Sequence, residues 1–281
     1  MRFADSKTLL SFFLFLSAFA LPACSSDDDP KSQTPELGVI SIRSQATADG
    51  QFTYSINGSF AENFDVSSAE CTTRTEGACT ISKCKATGGD GGLEKYLPAG
   101  TLTVSGGLLA ASGVVLQPDA DNFYHKVESG KAWNPGQRIS VKSSGAQVPA
   151  FEVSVSTPDT LTLEAPAVPA KDQAMSIKRS TGLELRWSGA KETKYVTLFT
   201  TDATGAGNPN VSVSCTFPAN ANTTSIPASA LNELPAGETY LFASARNQAT
   251  TLVNGKSVAL HARAVARSRS GEPVQRNVTL E

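Results

Sequence analysis

Apolar and polar residues alternate with a period of two along much of this chain. In AFEVSVS, Phe151, Val153 and Val155 share one face, and Glu152, Ser154 and Ser156 share the other. TLTLEAP sets Leu161 and Leu163 against Thr160, Thr162 and Glu164. LELRW sets Leu183, Leu185 and Trp187 against Glu184 and Arg186. VSVSCTF sets Val211, Val213, Cys215 and Phe217 against Ser212, Ser214 and Thr216. Successive side chains of a strand point to opposite faces, so this pattern predicts antiparallel strands with one face buried and one wet. Further strands are predicted at Val39–Arg43, Phe52–Ile56, Thr101–Ser105, Phe123–Val127, Ile139–Lys142, Tyr195–Thr200, Tyr240–Ala245, Val258–Val265 and Val274–Leu280. Turn signals separate them: Asn57-Gly58, the glycine-rich stretch 88–92, Asn134-Pro135-Gly136, Gly205 to Pro209 and Asn254-Gly255. One segment, Ala228–Leu234, reads as a helix of barely two turns.

Many short strands with almost no helix predict an all-β fold built from antiparallel β-sandwiches. Ala165–Asp172 (APAVPAKD) places two prolines among alanines, which makes a short, stiff connector. It divides the chain into a first sandwich at 38–164, a linker at 165–171 and a second sandwich at 172–281.

The N-terminus departs from this pattern. Arg2 and Lys7 precede the apolar run Leu9–Ala20, twelve residues long, whereas a membrane-spanning helix needs about 20. A basic head followed by a short apolar run reads as a secretory signal peptide over residues 1–23. Leu21-Pro22-Ala23-Cys24 resembles the lipobox of bacterial lipoproteins. That resemblance implies a diacylglycerol thioether on Cys24, an acylated new N-terminus and a membrane partner reached through the lipid. Ser25, where aspartate would retain such a protein in the inner membrane, implies the outer membrane. After Cys24, residues 25–36 read SSDDDPKSQTPE, with too little apolar surface to offset ordering entropy, and residues 24–37 are expected to form a flexible tether.

The second sandwich resembles fibronectin type III and related immunoglobulin-like modules. Trp187 stands where such modules carry a core tryptophan in an early strand. Leu234, Gly237 and Tyr240 of LPAGETY are spaced like the family's leucine, glycine and tyrosine ahead of a late strand. The resemblance implies a tyrosine corner at Tyr240, its ring in the core. LPAG recurs at Leu97–Gly100, again ahead of a strand.

With Cys24 assigned to lipid, Cys71, Cys79, Cys84 and Cys215 remain, and an exported chain sits where cysteines pair. Four cysteines allow three complete pairings. Three lie together in CTTRTEGACTISKC, so one local bridge is expected, and complete pairing sends one of them to Cys215. The cysteine spacings lack a C-x-x-C knuckle, which disfavours zinc.

The net charge is −2, with no strong basic patch, so nucleic acid is not an expected partner. The cations between Arg263 and Arg269 read as solvated surface. Only two histidines exist, His125 and His261; His261 sits on the polar phase of VALHARAV and is expected in solvent. No G-x-S-x-G, H-E-x-x-H or P-loop motif occurs. Asp119, Asp121 and Asn122 of PDADN offer oxygen ligands for calcium, but the further carboxylates and glycine of a calcium loop are missing. No cofactor is implied. The expected function is therefore non-catalytic: a lipid-anchored envelope protein that binds a protein or glycan partner at the cell surface or in the periplasm, or builds surface structure. The alternative is a secreted hydrolase or carbohydrate-binding accessory protein, for which Trp133 and Tyr124 are the aromatic platform candidates.

Overall fold

The alternating segments form strands. The computed structural model describes residues 34–47, 49–62, 71–84, 96–170, 173–200 and 210–281. The proposed signal peptide, Cys24, and the glycine-rich turn signals at 88–92 and 205–209 lie outside the described residues. The first strands are β1 Glu36–Ala46, β2 Phe52–Phe60, β3 Cys71–Glu76, β4 Cys79–Cys84, β5 Leu102–Gly106, β6 Val114–Leu116 and β7 Tyr124–Ser129. Next come β8 Arg138–Ser143, β9 Glu152–Ser156, β10 Leu161–Ala165, β11 Ser176–Ile177, β12 Leu183–Gly189 and β13 Thr193–Phe199. The last are β14 Asn210–Phe217, β15 Thr223–Ile226, β16 Gly237–Val253, β17 Lys256–Val265, β18 Arg267–Ser268 and β19 Gln275–Leu280. The expected helix is the single turn α1, Ala228–Leu231. The protein is all-β.

Every strand expected from alternation is present. Two boundaries read from the strand pattern are corrected. Glu36 and Leu37, assigned to the tether, already belong to β1, because Leu37 is 6% exposed and packs in the core. Asn57-Gly58 is no turn but the middle of β2. A Cβ at Gly58 would meet Leu102 and Tyr124 at ordinary contact distances of 3.4 and 3.5 Å, so the strand conformation there places no steric demand for glycine. By contrast, Asn254-Gly255 does turn the chain, with φ of 51° and 77°, between β16 and β17.

One long sheet runs β3-β4-β14-β13-β16-β17-β1-β2-β7, with β19 also on β16 and β11 on β19. Two four-stranded sheets, β15-β12-β10-β18 and β6-β5-β8-β9, complete the fold. The buried side chains fall into two clusters. One joins Leu161, Leu185, Trp187, Val196, Val213 and Leu241. The other joins Ile40, Ile56, Leu102, Val141, Val153 and Leu260. These clusters do not follow the proline-rich segment. Cys79 and Ile81 contribute to the cluster of the C-terminal half. Val258, Leu260 and Ala262 contribute to that of the N-terminal half. The exchange follows from pairing: β1 lies parallel to β17, and β4 lies antiparallel to β14. Residues 34–281 form one compact unit.

The cysteines follow the same plan. Cys71–Cys84 closes the β3–β4 hairpin, and Cys79–Cys215 links β4 to β14 across 136 residues. Each bridge joins residues directly opposite in register.

Trp187 is a core residue, 2% exposed, its ring 5.4 Å from Phe217. Tyr240 is not. It lies half-buried on the opposite face of β16 from Thr239 and Leu241, its ring 5.1 Å from Phe199. In this stretch both phases of the strand are apolar enough to be buried, and the inward one is the phase of Leu241 and Ala243. A tyrosine of the kind expected at Tyr240 exists at Tyr124 instead. It is fully buried, accepts a hydrogen bond from the Ala99 amide at 2.9 Å and donates to the Gly100 carbonyl at 2.7 Å. It thereby clasps the first LPAG turn.

Candidate functional site

The long sheet has a second face, turned away from the apolar cluster. On β1, Ile40 and Ile42 point inward, so Val39, Ser41, Arg43 and Gln45 point outward. On β17, Val258, Leu260, Ala262 and Ala264 point inward, leaving His261 and Arg263 outward. Register aligns these outward residues into rows. Arg43 pairs with Arg263, and Arg263 pairs with Arg246 of β16. Ser55 of β2 and Thr193 of β13 flank the three arginines. Two residues along the strands, a neutral row runs His125, Asn57, Ser41, His261 and Gln248. Within it, His125 Nδ1 and Asn57 Oδ1 are 2.7 Å apart.

Arg43 and Arg263 of the first row, with His125, Asn57, Ser41 and His261 of the second, line a groove of about 870 Å³ that also takes in Thr53, Gln45 and Gln275; Arg246 and Gln248 lie outside its lining. Like charges directly opposite on neighbouring strands destabilise a sheet, yet three guanidiniums stand in line. Among the described residues, none of the three is ion-paired: the salt bridges of Glu76, Glu128, Glu164 and Glu233 are to Arg74, Lys83, Lys126, Arg186 and Arg269. Aromatic rings hold the arginines instead. Arg43 lies 4.6 Å over Phe242, while Arg246 and Arg263 lie 4.8 Å and 4.9 Å from the centroid of the Tyr195 ring. A ring face attracts a cation but does not neutralise it. The Nε atoms of Arg43 and Arg263 are buried without a hydrogen-bond partner.

The electrostatics record the strain. Burial, reinforced by Arg246 and Arg43 and opposed by Tyr195, brings Arg263 down to about 10. Burial also lowers Arg43. His261 is pulled down to about 4, first by burial and then by Arg263 and Arg246. Its Nδ1 lies 3.3 Å from an Arg263 NH2 group, which makes that nitrogen the acceptor of a neutral imidazole. Burial pushes the Tyr195 phenol up, but Ser214, Thr197 and the two guanidiniums bring it below its ordinary value. Glu36 also lines the groove, and burial raises its carboxyl. An anion entering here would meet several donors already held in place by rings and strands.

His261 and Arg263 therefore sit in the groove rather than in free solvent, a correction to the sequence reading. Its physical cause is the pairing of β17 between β16 and β1. The other expected sites lie elsewhere. Asp119 Oδ1 accepts hydrogen bonds from the amides of Asp121 and Phe123, at 2.9 and 2.8 Å, and the Asn122 side chain donates to the Tyr96 carbonyl. These are turn contacts. No group of three or more His, Cys, Asp or Glu side chains suited to a metal gathers among the described residues. Trp133 is 3% exposed, with its indole N–H on the Pro158 carbonyl, and Tyr124 is fully buried. Neither ring can serve as a platform for sugars.

No family model and no curated protein sequence matches this chain.

Proposed function

We propose that this chain is a non-catalytic binding module of the bacterial cell envelope, anchored in the outer membrane by lipid on Cys24, whose arginine row takes an anionic partner. The carrying observation is the line Arg43–Arg263–Arg246, set across three neighbouring strands with no ion-paired carboxylate among the described residues. A charged group that is partly removed from water and left unpaired is expensive, and a ligand that supplies the counter-charge offsets that expense. The lipobox-like Leu21-Pro22-Ala23-Cys24 and the polar residues after it support the address. The buried Trp187 supports an immunoglobulin-like module in the C-terminal half.

Calorimetric titration of the full-length protein with dextran sulfate and with uncharged dextran tests the binding site. Binding of the sulfated polymer alone, weakened at least about tenfold by Arg43→Gln or Arg263→Gln, is expected. Equal binding by wild type and both variants would remove the groove from the account. Radiolabelled palmitate incorporation, lost in Cys24→Ala, tests the anchor.

A further inference from the structure

The geometry points to a second copy of this chain, paired edge to edge through β7, as a partner of the long sheet. This inference goes beyond the anion-binding role and does not depend on it.

The long sheet ends at β7, which pairs with β2 on one side. Along an antiparallel pair, opposed residues alternate between those that exchange both backbone hydrogen bonds and those that exchange none. Gly130 donates its amide to the carbonyl of Phe52, one step beyond the Thr53–Ser129 pair of the β2–β7 register. The even-numbered residues of β7 therefore bond to β2. The other side of β2 agrees. Ala61, just past its end, donates to Leu37 of β1, so the odd-numbered residues of β2 face β1 and the even-numbered ones face β7. The amides and carbonyls of His125, Val127 and Ser129 are left on the outer edge. Among the described residues, none of these groups has a partner there.

An open edge by itself names no partner, but the side chains of β7 do. Set antiparallel to itself about a two-fold axis at Val127, β7 brings Val127 opposite Val127 of the second copy, His125 opposite Ser129 and Lys126 opposite Glu128. The odd-numbered residues then meet in hydrogen-bonded pairs, so every outward amide and carbonyl is satisfied. Lys126 and Glu128 take the intervening positions, where opposed Cα atoms are about 4.5 Å apart, and each lysine gains a glutamate across the seam. The nearest registers that keep the hydrogen bonds are centred on Lys126 or on Glu128, and each opposes like charges. Lysine on an edge strand ordinarily guards it against pairing; here Glu128 gives that lysine a complement in the register centred on Val127. Val127 is 59% exposed in the single chain, and the pairing lays it against its own copy.

A two-fold contact of this kind closes as a dimer instead of growing into a filament. Residues opposed across the seam lie on one face. His125 and Val127 line the arginine groove, so the two grooves open side by side on the same face of the joined sheet. The six residues of β7 fall short of the roughly 20–30 a side of a stable interface, so the dimer is reversible.

The test follows the mass of the full-length protein in detergent by light scattering across a concentration series. A monomer–dimer equilibrium is expected. Lys126→Glu or Glu128→Lys opposes like charges twice across the seam and should weaken the dimer at least about tenfold. The double reversal, Lys126→Glu with Glu128→Lys, should restore it. Under oxidation Val127→Cys should cross-link into dimers, because Cα atoms of a hydrogen-bonded pair are about 5.5 Å apart, within reach of a disulfide. Val115→Cys on β6, where the native side chain is 50% exposed, should not. All variants share one micelle, so crowding in detergent cannot produce this pattern. A monomer at every concentration up to the millimolar range would overturn the inference. So would a dimer indifferent to the single reversals, a double reversal as weak as either, or cross-linking through Val115→Cys in place of Val127→Cys. Dextran sulfate binding is read separately, so either account can fail without the other.

Discussion

Replacing the central arginine of the row should stabilise the protein while abolishing binding. In Arg263→Met the side chain keeps an unbranched apolar stem but loses the guanidinium, and with it both the charge and the cation–π contact with Tyr195. Two effects set the magnitude. Arg246 and Arg263 both lie within 5 Å of the centroid of one ring, at 4.8 and 4.9 Å. Their charges are therefore less than about 10 Å apart, where repulsion at an effective dielectric of 20–40 is about 1–2 kcal/mol. Desolvation acts in the same direction: the fall of the Arg263 pKa from 12.5 to about 10 corresponds to roughly 3 kcal/mol before discounting for solvent screening of a part-exposed group. The two figures overlap, because the fall already contains the repulsion. Against them stands a cation–π contact of about 1 kcal/mol. The net expectation is about 1–2 kcal/mol of added stability, a rise of roughly 2–8 °C in melting temperature for a domain of this size. Thermal unfolding at pH 7 and low salt measures it, and the gain should shrink in 1 M NaCl as screening removes the repulsion. A fall in melting temperature at low salt would refute the reasoning, since it would mean that Arg263 is compensated.

Three more outcomes follow from the same contacts. His261 faces Ser41 and Arg43 of β1, Arg246 and Gln248 of β16, and Arg263 of its own strand. Its folded pKa of about 4 lies below the ordinary 6.5, so the unfolded chain takes up the proton first. Stability should be whole above pH 6.5 and fall toward pH 4, by about 1–3 kcal/mol relative to His261→Gln, as read from urea midpoints across that range; parallel pH curves would contradict this. Chain entropy ranks the disulfides. Removing Cys79–Cys215, which spans 136 residues, should cost about 5 kcal/mol, and removing Cys71–Cys84, which spans 13, about 3 kcal/mol; double cysteine-to-alanine variants unfolding in the reverse order would count against it. Tyr124→Phe should lose about 1–3 kcal/mol, because the Ala99 amide and Gly100 carbonyl lose their shared partner. Anion binding in that variant should stay unchanged, and a parallel loss of affinity would tie the LPAG turn to the groove.

Local physics made most strands legible, because alternation survives wherever one face of a strand is buried. It failed where the pattern was silent. β3, CTTRTE, shows no inward phase, its residues being half-buried or exposed at the end of the sheet. The segment from Tyr240 to Ala245 is apolar on both phases, so periodicity could not say which of Tyr240 and Leu241 faced the core. Asn57-Gly58 reads as a turn from its residue types alone, and only the pairing of β2 with β1 and β7 shows it to be mid-strand. The candidate site was hidden for a deeper reason. Arg43, Arg246 and Arg263 each occupy an unremarkable outward position. Only the parallel pairing of β1 with β17, more than 200 positions apart in sequence, puts them in one row. The disulfides were easier: four cysteines admit three complete pairings, and a bridge to Cys215 was required if all paired.

A crystal of the protein soaked in selenate tests the arginine row most directly, because selenium marks the anion by anomalous scattering. The account predicts a peak in the groove, within hydrogen-bonding distance of Arg263 and one of its neighbours Arg43 and Arg246, and its disappearance in Arg263→Met. An empty groove, with selenate bound only at other cations, would contradict it.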